Sequence, residues 1–138
     1  MSDEDAVHPL LRGGPPAMWE TLGFELVESG SGRAVLQGTT TPAHENGGGV
    51  THGGLAAALI DSATGSAILT AVEAGATIAT VDLNITYTRP IPLDAGTLTA
   101  TAVVDHVGRT VAVASCEVRD RRGRVVTLGR ATYAVRSS

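Results

Sequence analysis

The stretch Gly53-Gly54-Leu55-Ala56-Ala57-Ala58-Leu59-Ile60-Asp61-Ser62-Ala63-Thr64-Gly65-Ser66-Ala67-Ile68-Leu69, continued by Thr70-Ala71-Val72-Glu73-Ala74, decides how the rest of the chain is arranged. It is too long for a strand and apolar nearly all round. It therefore reads as one buried helix, not a surface helix with a single apolar stripe. Gly75 is a natural stop. No other segment has the length and pattern of a long helix.

Outward from this helix the pattern changes to period two. Ala79, Val81, Leu83, Ile85 and Tyr87 alternate with Thr80, Asp82, Asn84, Thr86 and Thr88. That alternation predicts a half-buried strand up to Arg89, ended by Pro90 and Pro92. Thr97 to Val107, Thr110 to Arg119 and Val125 to Val135 predict three more strands. The turns between them, at Gly108 and Asp120 to Gly123, are too short for anything but antiparallel neighbours. Upstream, Phe24 to Glu28 and Arg33 to Thr41 flank a Ser29–Gly32 turn. A short helix, Ala17 to Leu22, follows Pro15-Pro16 and stops at Gly23. Met18 and Trp19 are expected to anchor it on the core, and Cys116 to be a buried small residue. Residues 1–14 read as a loose lead-in to one domain over 1–138. The expected class is α+β: one curved antiparallel sheet of five to six strands around one long central helix. Its open edges invite pairing with a second subunit.

Composition narrows the function classes. Hydrophobic residues make up 43% and aromatic ones 3%, so Ala, Val, Leu and Ile must fill the core. A formal net charge of -4 argues against nucleic acid, whose phosphates need a basic face. All 10 basic residues are arginines, whose planar fork suits phosphate on a small molecule. One cysteine allows no intrachain disulfide. The acidic start, Met1 to Asp5, has no apolar run behind it, and no stretch has the length and polarity of a membrane span. The expectation is a cytoplasmic protein with no membrane partner.

Asp61 is the residue out of place: a carboxylate in an otherwise almost uncharged helix. Burying it unpaired is costly, and in an apolar cleft such a group can act as base or nucleophile. Ahead of it stands His52-Gly53-Gly54 at the helix start. The first N–H groups of a helix lack internal partners, and glycine lets a substrate approach them. Such an N–H can hold a developing oxyanion. Asn46, in the loop before, is read either as turn chemistry or as an amide that bonds a substrate carbonyl or a water. His44, His52 and Asp61 lack the paired spacing of a zinc helix, and Ser62 and Ser66 lack a nucleophile elbow.

The pattern Asn46-x5-His52-Gly53-Gly54-x6-Asp61, followed by Thr80-Val81-Asp82-Leu83-Asn84-Ile85-Thr86-Tyr87, resembles the hotdog-fold acyl-CoA thioesterases of the PaaI-like branch. The resemblance covers roughly residues 20–135. It implies a homodimer joined sheet edge to sheet edge, paired again into a homotetramer, with each active site built from two subunits. It implies Asp61 as nucleophile or general base and Gly53 N–H as oxyanion donor. Asn46 and His52 would orient the thioester carbonyl or the attacking water, and Thr80 would help place that water. Gly54, Thr64, Asp82 and Tyr87 are expected at the substrate. Arg89, His106 and Arg109 are expected at the CoA phosphates. The arginines of the 119–124 hairpin are read as a solvated turn. No metal or organic cofactor is implied. The competing readings are a hotdog hydratase or dehydratase, which would use a His-Phe-Pro-Gly-type sequence that this chain lacks, and a non-catalytic acyl-CoA binding module.

Overall fold

The predicted central helix forms as α2, Gly53–Leu69, stopping at Leu69 and not Ala74. Thr70 ends it: its hydroxyl donates to Ala67 O (2.7 Å) and accepts the Gly32 N–H (2.8 Å). The helix end is thereby tied to a strand turn. The computed structural model describes His8 and residues 13–137, so the expected lead-in lies almost wholly outside the described residues. The other elements are α1 (Ala17–Leu22), β1 (Phe24–Gly30), β2 (Arg33–Thr39), a 3-10 turn (Pro42–His44), β3 (Thr77–Tyr87), β4 (Thr97–Val107), β5 (Val111–Arg119) and β6 (Val125–Arg136). Gly23 closes α1 in the left-handed conformation, φ 79, as its position suggests.

The six strands make one antiparallel sheet in the order β1-β2-β4-β5-β6-β3. It packs on α2, as the hotdog resemblance implies. Leu59 and Ile60 of the helix are fully buried in one cluster with Leu36, Leu98 and Val118 of the sheet, and Ile68 in a second with Ala112, Ala114, Ala131 and Tyr133. Each such side chain contributes roughly 1.5–3 kcal/mol by leaving water. Gly129 on β6 lets helix and sheet meet closely: a Cβ there would lie 2.7 Å from Ile60 Cγ2. The helix is not enclosed all round. Ala57, Ala58, Asp61, Ser62 and Gly65 form a half-buried strip. Trp19 anchors α1 as expected, but Met18 points away and is 59% exposed.

β3 departs from the expected alternation, and the departure matters for the site. Its register against β6 shifts between Thr80 and Asp82, a β-bulge at Val81. Below the bulge Thr80 stands opposite buried Tyr133; above it Leu83 stands opposite buried Ala131. The extra residue inverts the phase of the strand. Ala79 and Val81, expected inside, are exposed, and Thr80, expected outside, faces α2. Asp82 falls on the outer face, away from Asp61. β3 is also an edge strand, next to the half-buried strip of the helix.

Candidate active site

Asp61 lies mid-helix, half-buried, with its Oδ1 held by two hydroxyls. Thr80 Oγ1 donates from β3 (2.8 Å), and Tyr133 OH from β6 is shared between Oδ1 (2.8 Å) and the Asp61 carbonyl oxygen (2.7 Å). Thr64 Oγ1 stands 2.8 Å from the same Tyr133 hydroxyl. No cation pairs with Asp61 among the described residues, and its Oδ2 accepts no hydrogen bond there. The carboxylate is thus fixed by one oxygen and open at the other. Burial, then the negative charge of Asp61, pushes the Tyr133 hydroxyl well above the usual tyrosine range, so it stays a proton donor.

Tyr133 is the residue that the sequence reading missed. Only its period-two place on β6 hinted at an inward direction. Thr64 differs from expectation in another way. It is fully buried beneath Asp61 and bonded to Tyr133 and Ile60 O, so it supports the carboxylate and exposes no atom to substrate.

The second part of the site is the start of α2. His52 Nδ1 accepts the Gly54 N–H (2.8 Å), and Leu55 N–H goes to His52 O (3.0 Å). The Gly53 N–H has no acceptor among the described residues. The turn therefore keeps one helix-start donor unspent. With Nδ1 accepting, the neutral His52 ring carries its proton on Nε2 and can donate from there. Tyr87 OH donates to Gly53 O (2.6 Å), and a Cβ on Gly53 would lie 2.8 Å from the end of the Tyr87 side chain, so a larger residue would have to displace Tyr87. Thr51 ties the preceding loop to the β3–β4 connection through Ile91 O and Pro92 O.

Asn46 sits in that loop, exposed. Its Oδ1 accepts Gly48 N–H (2.7 Å) and Val50 N–H (3.4 Å), which is the turn chemistry offered as one of its two readings. Its amide nitrogen is left to donate. His44 is likewise a cap, accepting the Thr41 N–H at Nδ1.

Arg89 and Arg109 are not neighbours. Arg89 bonds Val126 O at one end of the sheet; Arg109 and the exposed His106 stand at the other, where Thr110 meets Val135. Arg89 instead shares a cleft of about 290 Å³ with Arg121, Arg122, Arg124, Asp94 and Asp120. Asp120 pins the hairpin: it accepts the N–H groups of Arg122 and Arg124 and pairs with the Arg124 guanidinium. Arg89, Pro90 and Ile91 continue into a second cleft of about 430 Å³ that reaches Tyr87 and Gly53. Cys116 plays no part. It is buried, and desolvation, helped by Glu117, pushes its thiol up to about 12.

This geometry meets a family. The model of the thioesterase superfamily matches residues 48–127, from the loop before α2 into β6. The chain belongs to the thioesterase superfamily. Human acyl-coenzyme A thioesterase 13 is 34% identical to this thioesterase over 108 residues, 78% of this chain and 76% of that one. A protein of Halobacterium salinarum named as an esterase is 41% identical over 100 residues, 67% of this chain and 64% of that relative. Among solved structures, the PaaI protein of the E. coli phenylacetic acid degradation operon superposes with TM-score 0.77 at 30% identity, covering 86% of this chain and 83% of that one. These matches bear out the hotdog architecture and thioester hydrolase activity. Among the described residues no helix is long and apolar enough to cross a membrane.

Proposed function

We propose that this thioesterase hydrolyses acyl-CoA at a site assembled from two copies of the chain, with Asp61 of one copy acting on a carbonyl held by Gly53 of the other. The observation that carries the reading is the pairing of an anchored, half-open carboxylate with an unspent helix-start N–H. Eight residues of α2 separate the two groups, about 12 Å at 1.5 Å per residue. One carbonyl cannot reach both within a single chain. A two-fold axis across the β3 edge removes the difficulty. Thr80 lies beside Asp61 and Tyr87 beside Gly53. In an antiparallel β3–β3 pair centred near Leu83–Asn84, the partner's Tyr87 comes opposite Thr80, and the two half-sites meet twice. The resemblance further supports pairing of such dimers into a homotetramer, and a cytoplasmic location.

In the proposed reaction the thioester carbonyl accepts the Gly53 N–H, with the Asn46 amide and His52 Nε2–H placed to orient it or the water. Asp61 Oδ2 attacks the carbonyl directly, or takes a proton from a water that does. Either route passes through an oxyanion at Gly53 and expels CoA thiolate. Direct attack gives an acyl-aspartate that water then cleaves. The sum is R–CO–S–CoA plus water giving R–COOH plus CoA–SH. Arg89 and the arginines sharing its cleft supply positive charge for the CoA phosphates, and Arg109 with His106 supplies it from the other subunit.

The test is steady-state release of CoA thiol from a panel of acyl-CoAs by wild type and Asp61→Asn. The expected result is loss of about 10²–10⁴ in kcat, the range of a positioned base, with an unchanged thermal midpoint. Wild-type turnover by Asp61→Asn sinks the mechanism.

A further inference from the structure

The two sides of the helix start differ in chemistry, and the difference gives the substrate a direction. On one side, past Gly53 and Tyr87, lies the cleft that continues to Arg89 and the hairpin arginines. On the other, His52 and Gly54 open onto a separate cleft of about 290 Å³ walled by Met18, Leu22, Leu55 and Ala58. Its polar members besides His52 are His44 and Glu45, each already bonded within its loop. No Phe, Tyr or Trp lines it.

We propose that this cleft holds the hydrocarbon part of the acyl group, and that Met18 and Ala58 set the length of chain accepted. The inference rests on the acyl-CoA reading above and adds the place and class of the acyl half. Three observations support it. The cleft is lined by His52 and Gly54, the two neighbours of Gly53, so an acyl chain whose carbonyl meets the unspent Gly53 N–H can run along its apolar wall of Met18, Leu22, Leu55 and Ala58, opposite the loop that carries Glu45. Its apolar wall is uncovered: Met18 is 59% exposed, and Leu22 and Ala58 are only half-buried. The wall is also fixed in place. Trp19 Nε1 donates to Ser62 Oγ (3.0 Å), so α1 is fastened to the residue following Asp61, and Met18 is carried on that fastened helix. Ala58 faces the cleft from α2, one helical turn before Ser62. Methionine is an unbranched, deformable wall, suited to chains without fixed shape.

The experiment uses the full chain and alkyl-CoA thioethers of graded length, which bind without being cleaved. Calorimetry gives Kd from ethyl- to dodecyl-CoA for wild type, Ala58→Leu and Met18→Ala. For wild type, affinity is expected to rise with length and level off. In Ala58→Leu the ratio of octyl- to ethyl-CoA affinity should fall at least about tenfold, within the range for a methylene-scale change in an apolar pocket. In Met18→Ala the levelling-off point should move to longer chains. The proposal is overturned if Ala58→Leu changes all lengths equally. It is also overturned if the variants alter self-association in gel filtration while the length ratio stays constant, because the cleft would then belong to a second copy of the chain. Hydrolysis is read separately: a length-dependent Kd without Asp61-dependent thiol release keeps the acyl cleft and removes the catalytic reading.

Discussion

At the scale of single residues the site turns on which oxygen of Asp61 is free. Thr80 and Tyr133 both bond Oδ1, leaving Oδ2 as the proposed reacting atom. Tyr133 is then a positioning residue. Hydrogen bonds to charged groups contribute about 1.5–3 kcal/mol, so Tyr133→Phe should lower kcat by roughly 10- to 100-fold while KM stays nearly constant. A purely structural role would show as a lower thermal midpoint with kcat intact. Thr80→Ser should restore what Thr80→Val removes. Of these residues, Asp61 was legible because a carboxylate in an alanine-rich helix is chemically out of place. Tyr133 was not, since one tyrosine in an alternating strand looks the same whether it fills the core or bonds a carboxylate. Asn46 was legible only as a pair of alternatives. The fold uses its oxygen in the turn and leaves its nitrogen without a partner among the described residues, so the two readings are compatible.

At the scale of elements, the long helix and the antiparallel strands followed from periodicity, because burial imposes a period on any chain that forms them. The phase of β3 did not follow. A bulge adds one residue without changing composition, and the alternation of Ala79 to Thr88 continues through Val81 in the sequence while the backbone inverts it. The separation of Arg89 from Arg109 was hidden for a related reason: strand order, which sequence spacing does not carry, sends them to opposite ends of the sheet. The contact between α2 and β6 gives a prediction at this scale. Gly129→Ala would place a Cβ 2.7 Å from Ile60 Cγ2, next to Asp61. Overpacking of this kind costs about 1–3 kcal/mol, which in a domain of this size lowers the thermal midpoint by several degrees. The same shift of Ile60 should displace Asp61, so kcat should fall at temperatures where the variant is fully folded.

At the scale of the whole molecule, the proposed composite site predicts complementation. Asp61→Asn and Asn46→Ala damage opposite halves of the two-chain site. Refolded together from denaturant, they form mixed dimers carrying one intact and one doubly damaged site. Random pairing makes half of the dimers mixed, each with one working site of two, so about a quarter of wild-type activity should return from two nearly inactive proteins. A single-chain site would return none. The spacing along α2 has a consequence beyond assembly. Because Gly53 and Asp61 ride on one rigid rod about 12 Å apart, no internal motion of a lone chain can bring them together. The proposed two-copy site therefore makes catalysis a property of concentration: dilution below the dimer's dissociation constant should lower the specific activity of a chain that stays folded.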